Sequence, residues 1–556
     1  MKTISAFLAA AFLLCVAGTA GAQPADTILV NGKVVTVDDK FSTREAIAVR
    51  DGRILAAGRS AEIRKLAGKA TRVVDLQGRT VVPGLIDSHM HAIRAALSFA
   101  TEVNWIGAAS LEEALGRIRD GARRASPGGW LIVAGGWTED QFKEKRRPTQ
   151  AELEAAAPGH PVYVQWFYGW AMMTRPALEA LKIQTEADLP KGGKLELGAD
   201  GKPTGAVTGP VIIGLFGRLP APNFAEQVDG TRKFFRELNR LGLTGVIDPG
   251  GFNMSPQAYQ PLFRVWRDGN LTVRVSYSLF AQKNGKELEE FKELAQMTPM
   301  GFGDELLRFN GIGERVTFGM YNNDAPTEAD KDQLYAAAKW AAERGLSLTQ
   351  HWQNAKVVDH FLDVVERVNK EIPVAPLRWS IAHLNDASDA NLARMKALGL
   401  GWTVQNAMYF EGESFAAQRG ADIGRRAPPV VSAMKIGVPT GSGTDAHRVM
   451  SYNPFVALQW LLDGKTVSGT ALRGPEQTPG REQALRMYTS GSAWFDHSEK
   501  RRGSLEKGKL ADLVVLSKDY LTVPVGETGG IASLLTMVGG KVVYAAGPYE
   551  KLEIKP

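Results

Sequence analysis

Gly84-Leu85-Ile86-Asp87-Ser88-His89-Met90-His91 is the stretch from which the rest of the chain can be read. An apolar, strand-like run ends in a His-x-His pair. Residues two apart on a strand point to the same side, so both imidazoles can reach one metal ion, with Asp87 behind them on that face. Neutral imidazole is the commonest protein ligand for zinc and its neighbours. The chain holds only eight histidines in 556 residues, which makes this spacing informative.

Outward from that stretch, the sequence alternates between strand-like and helical runs. Eight strands are predicted over 81–91, 244–249, 271–279, 307–314, 346–351, 377–383, 400–405 and 438–445. Helical patterns intervene, for example over 327–344 and 356–369. This alternation predicts an α/β protein built on a TIM (β/α)8 barrel across 84–500. Residues 92–240 are too many for one βα unit and read as an insertion after the first strand, with a hairpin over 194–197 and 206–208. Short strands at 27–30, 33–37, 46–49, 53–57 and 72–76, punctuated by Asn31-Gly32 and Asp51-Gly52, resemble those at 512–516 and 541–545. They predict a small β-sandwich domain made from two parts of the chain, 23–83 and 501–556.

The polar residues fall at the ends of those strands. His89 and His91 end the first, Glu314 the fourth, His351 the fifth, His383 the sixth and Asp445 the eighth. Barrel active sites lie at the C-terminal ends of the strands. Four histidines and two carboxylates there suit two divalent ions sharing a bridging carboxylate, zinc first, with manganese, iron or cobalt open. The bland alternatives are that Glu314 pairs with Arg315 or Arg308, that His351 and His383 are core histidines, and that Asp445 caps a helix.

Composition narrows the classes. A net charge of +6 could suggest nucleic acid, but the basic residues are scattered, apart from 143–147 and Lys500-Arg501-Arg502, so no nucleic-acid partner is expected. The charged start, the apolar run over 6–17 and the small residues Ala20-Gly21-Ala22 predict a signal peptide over 1–22, and hence a periplasmic or secreted protein. The single cysteine, Cys15, lies inside that segment, which leaves no thiol ligand or disulfide in the mature chain. No later run is long enough to span a bilayer.

The chain resembles the amidohydrolase superfamily and, within it, the YtcJ-like (amidohydrolase family 3) metal-dependent hydrolases. The residues that carry the resemblance are 83–91, Gly441-Ser442-Gly443-Thr444-Asp445 and the stretch 503–516, which marks the re-entry into the sandwich. Many relatives have a carboxylated lysine where this chain has Glu314. Many have His-Ala-x-Gly-Asp where it has His351-Trp352-Gln353-Asn354-Ala355, and Asp-Gly-His where it has Tyr168-Gly169-Trp170.

The resemblance implies metal-assisted hydrolysis of an amide-type carbon–nitrogen bond, with Asp445 as the proton shuttle. A deaminase, an ester or lactone hydrolase, or a non-catalytic regulatory or binding protein on the same scaffold remain the alternatives. Among twelve tryptophans, Trp137, Trp170 and Trp352, together with Tyr321 and His447, are expected to contact a small substrate carrying an apolar or aromatic group. A homo-oligomer is left open.

Overall fold

The computed structural model describes residues 23–352 and 355–553; the expected signal peptide and Cys15 lie outside the described residues. Eight parallel strands carry the architecture. They are β1 (Leu85–Asp87), β2 (Leu243–Asp248), β3 (Arg274–Leu279), β4 (Leu307–Ile312), β5 (Thr349–Trp352), β6 (Ser380–His383), β7 (Gly401–Gln405) and β8 (Thr440–Gly443). They form two four-stranded sheets, in order β4-β3-β2-β1 and β5-β6-β7-β8. At one edge, Ile312 bridges Leu348 and His351 N donates to Glu314 O at 2.9 Å. At the other, Ser88 N donates to Ser442 O at 3.1 Å and Asp445 N to His89 O at 2.8 Å.

Strands covered on both faces need apolar residues throughout, and β1, β2, β6 and β7 are buried at every position. The helices between them bury one stripe each. In Glu328–Glu343 that stripe is Leu334, Ala337, Ala338, Ala341 and Ala342, the three-to-four spacing of one helical face. Thr327 starts this helix by accepting from Asp330 N, while Asp330 accepts from Thr327 N in return.

The first strand is a correction to the sequence reading. The expected single strand over 81–91 is broken at Gly84. Thr80–Pro83 belongs to the sandwich and pairs with Leu513–Leu516, whereas β1 begins at Leu85 and pairs with β2. A Cβ at Gly84 would fall 2.2 Å from Thr244 Oγ1, so only glycine lets the chain cross from one sheet to the other there. The sandwich itself packs a six-stranded sheet, with strands from both ends of the chain, against a four-stranded N-terminal sheet. Leu29, Ile47, Val74, Leu513, Leu535 and Val542 share its core.

Between β1 and β2 stands a five-stranded sheet with a hydrophobic core on each face. Alternate residues serve opposite sides: Val162, Val164, Trp170 and Met172 face one core, and Tyr163, Ala171 and Met173 the other. The hairpin read from sequence is the pair Lys194–Leu197 and Pro203–Thr208. The helix Phe224–Arg240, which the sequence reading gave to the insertion, packs on the helices Ala92–Ser98 and Gln260–Arg267. Gly136 N donates to Arg448 O at 3.0 Å, which ties the insertion to the loop after β8.

Candidate metal centre

His89 and His91 do not lie on a strand, as the sequence reading supposed. β1 ends at Asp87, and the next four residues are held one by one by neighbours. His89 N donates to Asp87 Oδ1 at 3.0 Å, Met90 N to Ile247 O at 3.1 Å, and His91 N to Ala446 O at 3.2 Å. Asp87 is the anchor. Its buried carboxylate also accepts Thr444 Oγ1 at 2.7 Å, joining the β1 and β8 loops. Burial pushes the Asp87 carboxyl up to about 7, against the lowering effect of those hydrogen bonds. Gly443 makes the junction possible, since a Cβ there would lie 2.4 Å from His89 N and 2.6 Å from Asp87 Oδ1.

The six expected ligands converge. Glu314 is the hub: its Oε2 lies 3.1 Å from both His89 Nε2 and His351 Nδ1, and 3.5 Å from His383 Nε2. Its other oxygen is 3.6 Å from His91 Nε2. Asp445 Oδ1 stands 3.0 Å from His91 Nε2 and 3.8 Å from His89 Nε2, and Asp445 Oδ2 is 4.0 Å from His383 Nε2. Burial would raise the Glu314 carboxyl, but the imidazoles of His351 and His89 overcome it and hold it well below the usual range. Asp445 is lowered in the same way: burial opposes the shift, and the His91 hydrogen bond and neighbouring imidazoles prevail.

The bland readings of these residues fail on geometry. Arg315 donates to Ala281 O and stacks on Phe318 at 3.8 Å, and Arg308 pairs with Glu305, so neither neutralises Glu314. No helix starts at Asp445; the next one is Pro454–Asp463.

The donor set fits divalent metal. Nε2 of His89, His351 and His383 are buried without a hydrogen-bond partner, an arrangement that native proteins avoid unless an ion or water is bound. Two triads can each hold a cation, His89 with His91 and Asp445, and His89 with Glu314 and His383. Ligand atoms about 2.1 Å from one zinc stand about 3.4 Å apart, the scale of the separations above. The outer partners set the tautomers. His91 Nδ1 donates to Gly250 O at 2.5 Å, leaving Nε2 as the donor atom, and Asp248 fixes that turn by accepting Gly250 N at 2.8 Å. His383 is held by Gln405 Oε1, which accepts its backbone N–H at 2.7 Å, and by Trp402, whose indole donates to its carbonyl at 2.8 Å.

Above the ligands opens a cavity of about 760 Å3, walled by Trp166, Phe167, Tyr168, Phe252, Tyr321 and Phe410 and rimmed by Glu139, Asp140, Glu411 and Arg147. Of the expected substrate contacts, Tyr321 lines this cavity, with its ring 4.7 Å from that of His351. The other four substrate contacts read from sequence do not line this cavity. Trp137 is sealed in the insertion core, its indole donating to Gln165 O at 2.8 Å. Trp170 faces the same core behind Arg147, and Trp352 packs into the large hydrophobic core near Phe361. His447 turns away to Glu102, 2.6 Å from its Nε2, and burial lowers its pKa. The aromatic walls that sequence reasoning missed come from Phe167, Tyr168, Phe252 and Phe410, none of which has a motif of its own.

Comparison with known proteins agrees with this geometry. The profile of the amidohydrolase family matches residues 72–544. An N-substituted formamide deformylase of Arthrobacter pascens is 27% identical, over 94% of this chain and 99% of its own length. The putative amidohydrolase YtcJ of Bacillus subtilis (strain 168) is 22% identical, over 92% and 98%. The crystal structure of an uncharacterized metal-dependent hydrolase from Pyrococcus horikoshii OT3 superposes with a TM-score of 0.65 at 22% identity, covering 90% of this chain and 99% of that one. The fold so implied is a TIM barrel with a separate domain, with which the two parallel sheets agree.

Proposed function

Because the chain belongs to the amidohydrolase family and is a hydrolase of carbon–nitrogen bonds, we propose that it cleaves an amide-type bond at the Glu314 hub, with Asp445 moving the proton. The observation that carries this reading is the convergence of four imidazoles and two carboxylates, with three orphaned ring nitrogens among them. On this proposal the eight strands close as a (β/α)8 barrel, and two ions, zinc by first preference, are held there. His89, His91 and Asp445 serve one ion, His351 and His383 the other, and Glu314 lies between. Divalent metal at such a site supplies Lewis acidity, which polarises a carbonyl and makes water nucleophilic near neutral pH.

The rest of the chemistry is the chain's own. Asp445 accepts the proton of the attacking water on one carboxylate oxygen and returns it to the leaving nitrogen. The bond from Asp445 N to His89 O fixes the distance between shuttle and ligands. The aromatic walls exclude bulk water and receive the apolar part of the substrate. An N-formyl or N-acyl amine is the first class to screen, and the deformylase relative supports that order.

Two measurements test the centre. Elemental analysis of gently purified protein is expected to give about two ions per chain. A steady value near one, unmoved by added zinc or manganese, removes the bridge. Glu314→Gln is expected to lose one ion while the fold is kept, and activity of the wild type is expected to be indifferent to bicarbonate. A variant with full metal and normal turnover would reduce Glu314 to a structural role.

We further propose export to the periplasm or medium. Among the described residues no helix is long and apolar enough to cross a membrane. The expected mature N-terminus is Gln23, read by mass spectrometry of the secreted fraction; an uncleaved chain found only inside the cell refutes it.

A further inference from the structure

A second cavity, of about 290 Å3, adjoins the metal centre and shares Tyr168, Ile213 and Phe252 with the larger one. Its lining is mostly apolar, with Leu97, Phe216, Leu219 and Met254 among the walls. Two guanidinium groups also line it, and they are not equivalent. Arg448 is neutralised: its Nη1 lies 2.8 Å from Glu102 Oε1 in an ion pair that is nearly closed to solvent. Arg94 has no carboxylate within ion-pair distance among the described residues. Its Nη2 donates to Tyr168 OH at 2.8 Å, its charge lies 5.9 Å from the ring centres of both Tyr168 and Phe252, and its buried Nε has no partner. This fork-shaped cation is only partly buried and feels Asp445, Glu314 and Asp248 from beyond ion-pair distance, so its bidentate face can receive a carboxylate.

The position of Arg94 links it to the reaction. The point where a Cβ would sit on Gly251 is 3.4 Å from His91 Nδ1 and 3.5 Å from Arg94 Nε, so the guanidinium stem runs beside a ligand of the metal centre. An aliphatic or aromatic arm entering between Tyr168 and Phe252 would meet apolar walls, and a carboxylate on that arm would meet Arg94. The large cavity is also lined by Glu139, Asp140 and Glu411, and Glu139 is ion-paired to Arg147.

The geometry points to Arg94 as a specificity-determining residue that binds a carboxylate on the substrate, with the annex behind Tyr168 taking the adjoining apolar group. The substrate class is then an N-acyl derivative of an apolar amino acid rather than of a simple amine. This rests on the amide-hydrolase reading, and a binding measurement separates the two.

Turnover is compared for N-formyl-phenylalanine and N-formyl-2-phenylethylamine, which differ only in the carboxylate. The wild type is expected to favour the acid in kcat/KM by about tenfold or more, since a site built for a charged partner rejects the analogue that lacks it. Arg94→Met is expected to erase that preference, mainly through the KM of the acid. Separately, 3-phenylpropionate and 3-phenylpropanol are titrated calorimetrically against the metal-loaded wild type and Arg94→Met. The acid is expected to bind about tenfold tighter to the wild type only. Arg94→Lys, which keeps the charge but not the fork, is expected to fall between, and it serves if Arg94→Met does not fold. Neither amide being cleaved, with the acid still bound through Arg94, overturns the amide reading and keeps the carboxylate site. An acid that binds no better than the alcohol, or equally well to Arg94→Met, overturns the carboxylate site.

Discussion

Replacing Asp445 with asparagine is expected to lower kcat by about 10²–10⁴ while KM changes little, the signature of losing proton transfer rather than binding. The substitution is a clean one. Asp445 sits at φ 56°, in the left-handed region that asparagine tolerates as readily as aspartate, so the backbone has no reason to move. The amide keeps one oxygen toward His91, which in the wild type stands 3.0 Å from Oδ1. What disappears is the capacity to accept a proton. The measurement is kcat at saturating amide, with metal content determined on the same sample. Near-normal turnover with a full metal complement would move the proton to another group on the wall, and Glu411 is the next carboxylate there.

Asp512→Ala is expected to cost about 3–5 kcal/mol of stability, the usual penalty for stranding one member of a buried ion pair. Asp512 receives both Nε and Nη2 of Arg274, at 2.7 and 2.8 Å, and Gly539 N at 2.8 Å. Both side chains are about 5% exposed. Arg274 opens β3 at the end of the sheets remote from the metal centre, so the pair fastens the sandwich to the parallel sheet of β3 without touching the chemistry. Burial would raise the Asp512 carboxyl, and Arg274 reverses this and holds it below its ordinary value. The stabilisation is therefore present above the ordinary aspartate range and is lost as pH falls below it. Denaturant midpoints measure the loss, with activity per folded molecule expected to be unchanged. Arg274→Met combined with Asp512→Leu is expected to recover most of it, because the charge and its partner leave together. A single variant as stable as the wild type would mean that water reaches Arg274.

The sequence marked the metal centre well because its residues are chemically rare and sit where a repeated βα unit ends. Glu314, His351, His383 and Asp445 each close an apolar run, and eight such runs could be counted. What it hid is direction. Trp137 and Trp170 looked like pocket residues because they lie near loops, but alternation along its strand turns Trp170 into the insertion core, and Trp137, in the loop after Leu131–Val133, is buried in the same core. Phe167 and Tyr168, three and two residues before Trp170, face the cavity instead, and nothing in residue type separates them. His447, two residues after Asp445, is drawn off by Glu102, a partner 345 positions away that no local pattern reveals. Arg94 was equally silent, since no local pattern shows that it has no ion-pair partner among the described residues.

The pairing of Thr80–Pro83 with Leu513–Leu516 also sets a timetable for synthesis. A ribosome delivers one partner at the outset and the other almost at the finish, so Thr80–Pro83 must wait, with one edge unoccupied, while the whole barrel emerges. β1 begins two residues beyond that waiting strand, and His89 and His91 follow it. A chain stalled or cut before Leu513 would offer a sticky edge in place of a sheet, a form suited to recognition by quality-control proteases rather than to slow, partial activity.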